Sequence, residues 1–104
     1  MALKLPSSIS PPRAKLILYG DQTGGGHSAR ATKPGRSKFP AEWTDQDILN
    51  AIGDIVADAN IRTRPGRSRR TIVEGVRNGV AIRVIVGSDG QVVTGFPLRL
   101  LRQS

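Results

Sequence analysis

The residues of this chain that could perform acid–base chemistry reduce to one histidine. His27 is the only histidine among the 104 residues, and three glycines, Gly24 to Gly26, precede it. Histidine is the side chain that most readily gains and loses a proton near neutral pH. Glycines let a backbone approach a ligand closely and adopt conformations that other residues avoid. We therefore predict a catalytic role for His27, with a structural histidine as the alternative.

The sequence excludes several other chemistries. It contains no cysteine, which rules out disulfides, thiolate catalysis and cysteine-bound zinc. The glycine run is not followed by a lysine and a hydroxyl residue at the spacing of a triphosphate-binding loop, and no strand–helix crossover surrounds it. No group of histidines and carboxylates forms a metal cage. We expect neither a cofactor nor a metal.

The charge of the chain is high and unevenly distributed. Sixteen lysines and arginines against eight acids give a formal net charge of +8. Five of the acids lie between Glu42 and Asp58, a stretch without any base. The rest of the chain is strongly basic, and nucleic acid is its natural partner because neutralised phosphates release counterions. A basic domain that is merely soluble is the alternative.

Basic residues cluster in two stretches that we predict to contact nucleic acid. The first is the arginine segment, residues 62–70, with five arginines around a Pro-Gly turn: Arg62, Arg64, Arg67, Arg69 and Arg70. We predict a loop that presents its guanidinium groups to phosphates. The alternative is a loop that is solvated and mobile and binds nothing. The second is the glycine-rich stretch 21–40, with Lys33, Arg36 and Lys38. Irregular segments of this length inside a small domain are usually functional.

The organisation along the chain indicates one domain over residues 15–104. Residues 1–14 are predicted to be a linker or a cloning remnant, because prolines and serines dominate from Leu5 to Arg13. Leu16 to Tyr19 form a short apolar run that suits either a strand or a buried helix end. No apolar run is long enough to cross a bilayer, so we expect no membrane insertion.

The clearest predicted helix begins at Thr44. The Thr44 hydroxyl is placed to accept a hydrogen bond from the backbone near Asp47, and Trp43 and Ile48 have the spacing of a hydrophobic staple. Apolar residues then recur on one face over about thirteen residues. This apolar stripe needs a sheet to cover it.

That sheet is predicted downstream of the helix. Two β-branched runs, residues 71–77 and 80–86, flank Asn78-Gly79, which is the strongest short hairpin signal. A further turn leads into a third strand over residues 91–94, which residues 95–97 end. One main amphipathic helix packed on a small antiparallel sheet is an α+β fold.

Several motifs, in the same order and register, resemble the bacterial EndoU endoribonuclease domain. They are residues 16–27, 34–40, 43–45, 48–55, 75–80 and 92–97. The resemblance implies the architecture shared by the barnase, colicin and RelE group of ribonucleases. It also implies a toxin domain used in competition between bacteria, whose producer carries a neutralising immunity protein.

The resemblance further implies a mechanism and its residues. Family members cleave RNA by attack of the ribose 2′-hydroxyl on the adjacent phosphate, which leaves a 2′,3′-cyclic phosphate and needs no metal. By resemblance, His27 is one of two acid–base histidines and Thr94 is the hydroxyl residue near the C-terminus. Phe96 stands where relatives often carry tyrosine. The resemblance does not assign the catalytic lysine of the eukaryotic branch to Lys33, to Lys38 or to an arginine.

One departure from the family pattern concerns Leu16. Relatives usually carry the second histidine at this position, eleven residues before His27. Leucine can neither accept nor donate a proton, and loss of one positioned acid or base costs about 10² to 10⁴-fold in rate. The hypothesis is an inactivated toxin domain, because a working RNase would harm its expression host. A natural variant that cleaves poorly or only binds RNA is the alternative.

Partners and location follow from the same resemblance. The expected partners are an RNA substrate and an acidic immunity protein, and the expected state is a monomer. The implied location is that of a secreted or delivered effector acting in the cytoplasm of the target cell. From the residues alone, a non-catalytic basic RNA-binding module or a protein-interaction role stays open. DNA binding is less favoured, because the one clear helix is acidic.

Overall fold

The fold is a four-stranded antiparallel sheet with two helices. A computed structural model describes residues 3–20, 25–28, 31 and 37–100. The helices are α1, Pro11–Tyr19, and α2, Asp45–Ala57. The strands are β1, Arg62–Pro65; β2, Thr71–Arg77; β3, Val80–Val86; and β4, Val92–Leu100, paired in the order β1-β2-β3-β4. The predicted α+β class is confirmed.

The two faces of the sheet have different surroundings. Along β3 every second residue, from Val80 to Val86, is buried, and we call this side the inner face. Helix α2 covers it closely: a Cβ added to Gly95 would lie 2.8 Å from the Ile52 side chain, and one added to Gly75 would lie 3.1 Å from the Ile55 side chain. The intervening residues of each strand, such as Arg83, point to the opposite side, which we call the open face.

Helix α2 is positioned by local sequence signals that the structure confirms. The Thr44 hydroxyl accepts from the Asp47 N–H at 3.1 Å, and the Thr44 N–H donates to the Asp47 carboxylate at 2.8 Å. This reciprocal cap sets the start of a thirteen-residue helix. Ile48, Leu49 and Ile52 are fully buried on its apolar side. The predicted helix is therefore correct in type and length.

The predicted hairpin is confirmed as well. Asn78 and Gly79 both have positive φ, 50° and 77°, as the two central residues of a type I′ turn require. Arg77 pairs with Val80 across this turn. The register that follows brings the β-branched residues of β2 and β3 to a common inner face.

The chain before residue 15 packs on the core more than its composition suggests. Ile9 and Ala14 are 3% and 4% exposed, and the Val92 N–H donates to the Ser8 carbonyl at 2.7 Å. Two prolines open helix α1, where a missing N–H costs nothing. The apolar run from Leu16 to Tyr19 is thus the end of a helix and not a strand.

Two sequence predictions about the sheet are wrong. The arginine segment is not a simple loop, because residues 62–65 form edge strand β1 and Arg67–Arg69 a 3₁₀ turn. Both faces of β1 are exposed, so its sequence lacks the alternation of apolar and polar residues that would predict a strand. The last strand does not stop at Thr94 but continues to Leu100. Pro97 is tolerated there because β4 lies at the other edge of the sheet.

Candidate active site

The backbone around His27 is held by the end of helix α1. The carbonyls of Leu16, Ile17 and Leu18 accept from the N–H groups of Gly26, His27 and Ser28 at 3.1, 2.8 and 3.0 Å. The Leu16 carbonyl also accepts from the Gly20 N–H at 2.9 Å. The Ile17 and Leu18 carbonyls lie in the last turn and have no intrahelical partner, so the loop supplies their donors. The backbone at position 16 and His27 are therefore neighbours.

A glycine permits this close contact. Gly25 has φ +80°, and a Cβ there would lie 1.9 Å from the Leu16 carbonyl oxygen. No residue with a side chain fits at that distance. The glycine run thus brings the loop against α1 immediately before the histidine.

The His27 ring is oriented by a backbone carbonyl. His27 is 7% exposed, and its Nδ1 lies 2.8 Å from the carbonyl oxygen of Ser37. A carbonyl only accepts, so Nδ1 carries the hydrogen and donates it. In the neutral imidazole, Nε2 is then the basic nitrogen. The His27 carbonyl in turn accepts from the Phe39 N–H at 2.8 Å, which ties the loop to the core on its other side.

Strand β4 brings the two predicted C-terminal residues to the same place. The Phe96 ring lies 5.6 Å from the His27 ring, centroid to centroid, at an interplanar angle of 40°. Thr94 is two residues earlier on β4 and shares the open face with Phe96, roughly 7 Å along the strand. The contact with Phe96 therefore places His27 at the β4 edge of the open face, and Thr94 lies on that face two residues away along the strand.

Two cross-strand rows connect this edge to the arginine segment. One row runs Arg62, Glu74, Arg83, Phe96, and the next runs Arg64, Ile72, Ile85, Thr94. Arg83 donates through Nε and Nη2 to one oxygen of Glu74, both at 2.6 Å, and Arg64 reaches the same oxygen at 3.2 Å. The open face is therefore basic, with one carboxylate at its centre.

Sequence reasoning missed Arg83 and Glu74. The available signal was an arginine in the middle of an otherwise apolar β3, opposite a carboxylate on β2 in the hairpin register. A charged pair inside a β-branched hairpin marks the face that is not covered by the helix. Arg83 is thereby the cation next to Phe96 on the open face.

The five predicted arginines are all exposed. Arg64 pairs with Glu74, whereas within the described part of the chain Arg62, Arg67, Arg69 and Arg70 make no ion pair. Arg67 and Arg70 line a cavity of about 290 Å³ with Gly66, Ile72 and Ile85. The structure thus leaves most of the guanidinium groups of the arginine segment available to a polyanion.

The three basic residues predicted in the glycine-rich stretch have separate outcomes. Lys33 and Arg36 lie outside the described residues. Lys38 is half-buried, and its ammonium donates to the carbonyl of Gly26 at 2.6 Å and to that of Ala31 at 3.5 Å. Its observed contacts brace the loop that holds His27, and its contact with RNA stays a prediction.

A second network anchors the loop beyond His27. Ser28 is fully buried, and its hydroxyl donates to Asp45 at 3.1 Å. The Tyr19 hydroxyl donates to the other oxygen of the same carboxylate. Asp45 is the first residue of α2, so this contact joins α1, the loop and α2. Among the described residues there is no group of three or more potential metal ligands.

A histidine beside a sheet face that carries several arginines suits a protein that acts on nucleic acid. A comparison with protein families matches residues 17–99 to the model of the bacterial EndoU nuclease. The chain therefore belongs to the bacterial EndoU nuclease family, as the motifs of the sequence indicated. The match includes His27 and Thr94 and begins one residue after Leu16. No curated protein and no solved structure gives a significant match.

Proposed function

We propose that this domain is an endoribonuclease toxin domain whose chemistry is 2′-hydroxyl attack on the adjacent phosphate, to give a 2′,3′-cyclic phosphate without a metal. The observation that carries the proposal is the setting of His27. Its Nδ1–H is bound to a carbonyl, and its ring meets Phe96 at the rim of the basic open face. A general acid or base needs such a fixed tautomer beside the site where a phosphate binds.

The proposed roles follow from the positions of the side chains. Nε2 of His27 exchanges a proton with the 2′-hydroxyl or with the leaving 5′-oxygen. Thr94 donates a hydrogen bond to the phosphorane, and the positive open face stabilises its negative charge. Phe96 keeps the ring contact with His27 but has no hydroxyl to donate. Arg62, Arg64 and Arg69 hold the flanking phosphates.

We further propose that this chain lacks its full catalytic set because Leu16 occupies the position of the second histidine. Support comes from the backbone contact between position 16 and the loop of His27, since the Gly26 N–H donates to the Leu16 carbonyl at 3.1 Å. Two imidazoles at these positions would have neighbouring backbones. One positioned acid or base contributes about 10² to 10⁴-fold in rate, so cleavage by this chain is expected to be slow.

The test is to install the missing group. Leu16→His is expected to raise the rate of cyclic-phosphate formation from an RNA oligonucleotide by about 10² to 10⁴-fold. Lys15→His is the matched control. Lys15 is exposed and lines a cavity with Leu18 and Tyr19 that does not include His27, so a histidine there adds an imidazole to α1 away from the site. His27→Ala in the Leu16→His background should abolish the gain. No gain of cyclic product with Leu16→His in a folded chain would refute the proposal of an inactivated enzyme.

A second candidate is a non-catalytic RNA-binding module. Leu16 favours it, since the basic open face is intact while a proton-transfer group is absent. Under this reading His27→Ala leaves RNA affinity nearly unchanged, and no variant at position 16 produces cleavage. Titration of RNA with the native chain and with His27→Ala, beside the cleavage assay, separates the two candidates.

The biological setting is proposed from the family. The domain would be delivered into the cytoplasm of a target cell, and an acidic immunity protein would cover the basic open face in the producer. The exposed arginines, unpaired within the described residues except for Arg64, support an acidic partner. In the described residues, neither helix has the length and apolar character needed to span a bilayer. A small acidic reading frame immediately downstream of the parent gene, whose product binds this domain, is the expected finding.

A further inference from the structure

The cavity beneath the arginine segment is a separate feature of the open face. We propose that it is a nucleobase subsite, which receives the base of a nucleotide that flanks the scissile phosphate. The proposal rests on RNA being the substrate, as proposed above, but not on the chain being able to cleave it.

The cavity has an apolar floor and cationic walls. Ile72 and Ile85 are direct partners in the β2–β3 register and form the floor, while Arg67 and Arg70 form the walls. Gly66 closes one end, because a Cβ there would lie 3.1 Å from the Ile72 side chain. The backbone of the arginine segment therefore lies directly on the floor.

The composition of the cavity matches a nucleobase better than a phosphate. A phosphate needs donors and gains nothing from two isoleucines, whereas the flat face of a base covers an apolar floor and stacks against guanidinium planes. Arg67 and Arg70 make no ion pair within the described residues, so stacking breaks no existing contact. The volume of about 290 Å³ lies at the lower limit of small-molecule pockets, which suits one ring system.

The position of the cavity fixes which nucleotide it would take. Ile85 is the cross-strand partner of Thr94, and Ile72 lies one strand further. With strands about 4.8 Å apart, the floor extends from roughly 5 to 10 Å from Thr94. A base bound there belongs to a nucleotide next to the scissile phosphate and not to a distant part of the strand. The cavity thus adds a base contact to a surface that otherwise binds phosphates.

The experiment measures which base matters. The probe is a six-nucleotide RNA with 2′-O-methyl riboses, which cannot be cleaved, and a set of the same strand with one abasic residue at each position. For the native chain, one internal abasic residue is expected to raise Kd by about 5- to 150-fold, the effect of losing one stacked base. In Ile72→Trp, which fills the cavity, the same abasic residue should have no effect.

The matched control is Val76→Trp. Val76 is on the same strand and the same face as Ile72, is 47% exposed and lies outside the cavity. In this variant, Kd should depend on the position of the abasic residue in the same way as in the native chain. Thermal melting of both tryptophan variants verifies that they fold. If Ile72→Trp does not fold, the double change Arg67→Gln and Arg70→Gln replaces it. The double change Arg62→Gln and Arg69→Gln, outside the cavity, is then the control for the loss of two charges.

Each outcome decides the proposal. The proposal is supported if the abasic residue raises Kd in the native chain and in the control variants but not in the cavity variants. A flat abasic profile in the native chain, or a profile unchanged by the cavity variants, overturns it and leaves the arginines as phosphate contacts or as a surface for an acidic protein. Failure of Leu16→His to cleave RNA would refute the proposed enzyme but not the subsite, because the probe reports binding alone.

Discussion

Replacement of Gly25 by alanine tests how the site is built, and Gly90 offers a matched control. Both glycines have φ near +80°, which an alanine adopts at a cost of about 1–2 kcal/mol. A Cβ at Gly90 meets nothing within 4 Å, whereas at Gly25 it would lie 1.9 Å from the Leu16 carbonyl oxygen. The difference between the two variants therefore isolates the contact between the loop and helix α1.

The magnitude follows from the hydrogen bonds that must break. Moving the loop off α1 removes the bonds from Gly26 to Leu16 and from His27 to Ile17. Each contributes about 0.5–1.5 kcal/mol. Gly25→Ala should then be about 1–3 kcal/mol less stable than Gly90→Ala, or roughly 4–24 °C lower in Tm for a domain of this size.

Two assays measure the effect. Urea unfolding or thermal melting gives the difference in stability, and amide hydrogen exchange reports the His27 N–H directly. If the loop is released locally without global unfolding, the exchange rate at His27 rises while Tm changes less. Equal Tm and equal His27 protection in Gly25→Ala and Gly90→Ala would refute the proposed docking of the loop on α1.

Substitutions at four further positions test other parts of the structure. Thr44→Ala should lower the free energy of unfolding by about 1 kcal/mol in urea titrations, and Thr44→Ser should restore most of it, because the cap needs only the hydroxyl. Lys38→Met should lower it by about 1.5–3 kcal/mol, since a charged donor to loop carbonyls is lost; unchanged stability with weaker RNA binding would instead assign Lys38 to the RNA. Arg62→Gln should reduce the slope of log K against log salt for single-stranded RNA by about 0.7. Arg83→Gln should change that slope less, because Glu74 already neutralises Arg83; equal changes would contradict this.

Features with short-range causes were predictable from the sequence. The cap at Thr44 and the Asn78-Gly79 turn depend on residues no more than three positions apart, so helix α2 and the central hairpin followed from pattern alone. Strand β1 was not predictable, because an edge strand exposed on both faces has no alternation and its arginines favour a loop reading. The helix ending at Tyr19 was ambiguous, because four apolar residues suit a strand and a buried helix equally.

The residues of the candidate site can also be separated into those that the sequence identified and those that only the structure revealed. His27 was identifiable from its residue type and its glycines, and Leu16 and Thr94 from the family pattern. The pairing of Arg83 with Glu74 required the hairpin register, and the approach of Phe96 to His27 joins residues 69 positions apart. Such contacts depend on the packing of β4 and the loop, which no local pattern encodes.

The sequence by itself determined the chemical inventory of this protein: one histidine, a basic surface, no cysteine and a nuclease family. Only the tertiary structure decided how these groups combine. Carbonyls in the last turn of α1 bind the loop of His27. The strand order places that histidine at the β4 edge of the open face and the floor of the arginine cavity on the central strands β2 and β3. Residue types limit which reactions are possible, whereas hydrogen bonds and packing between distant segments set the distances on which a reaction depends.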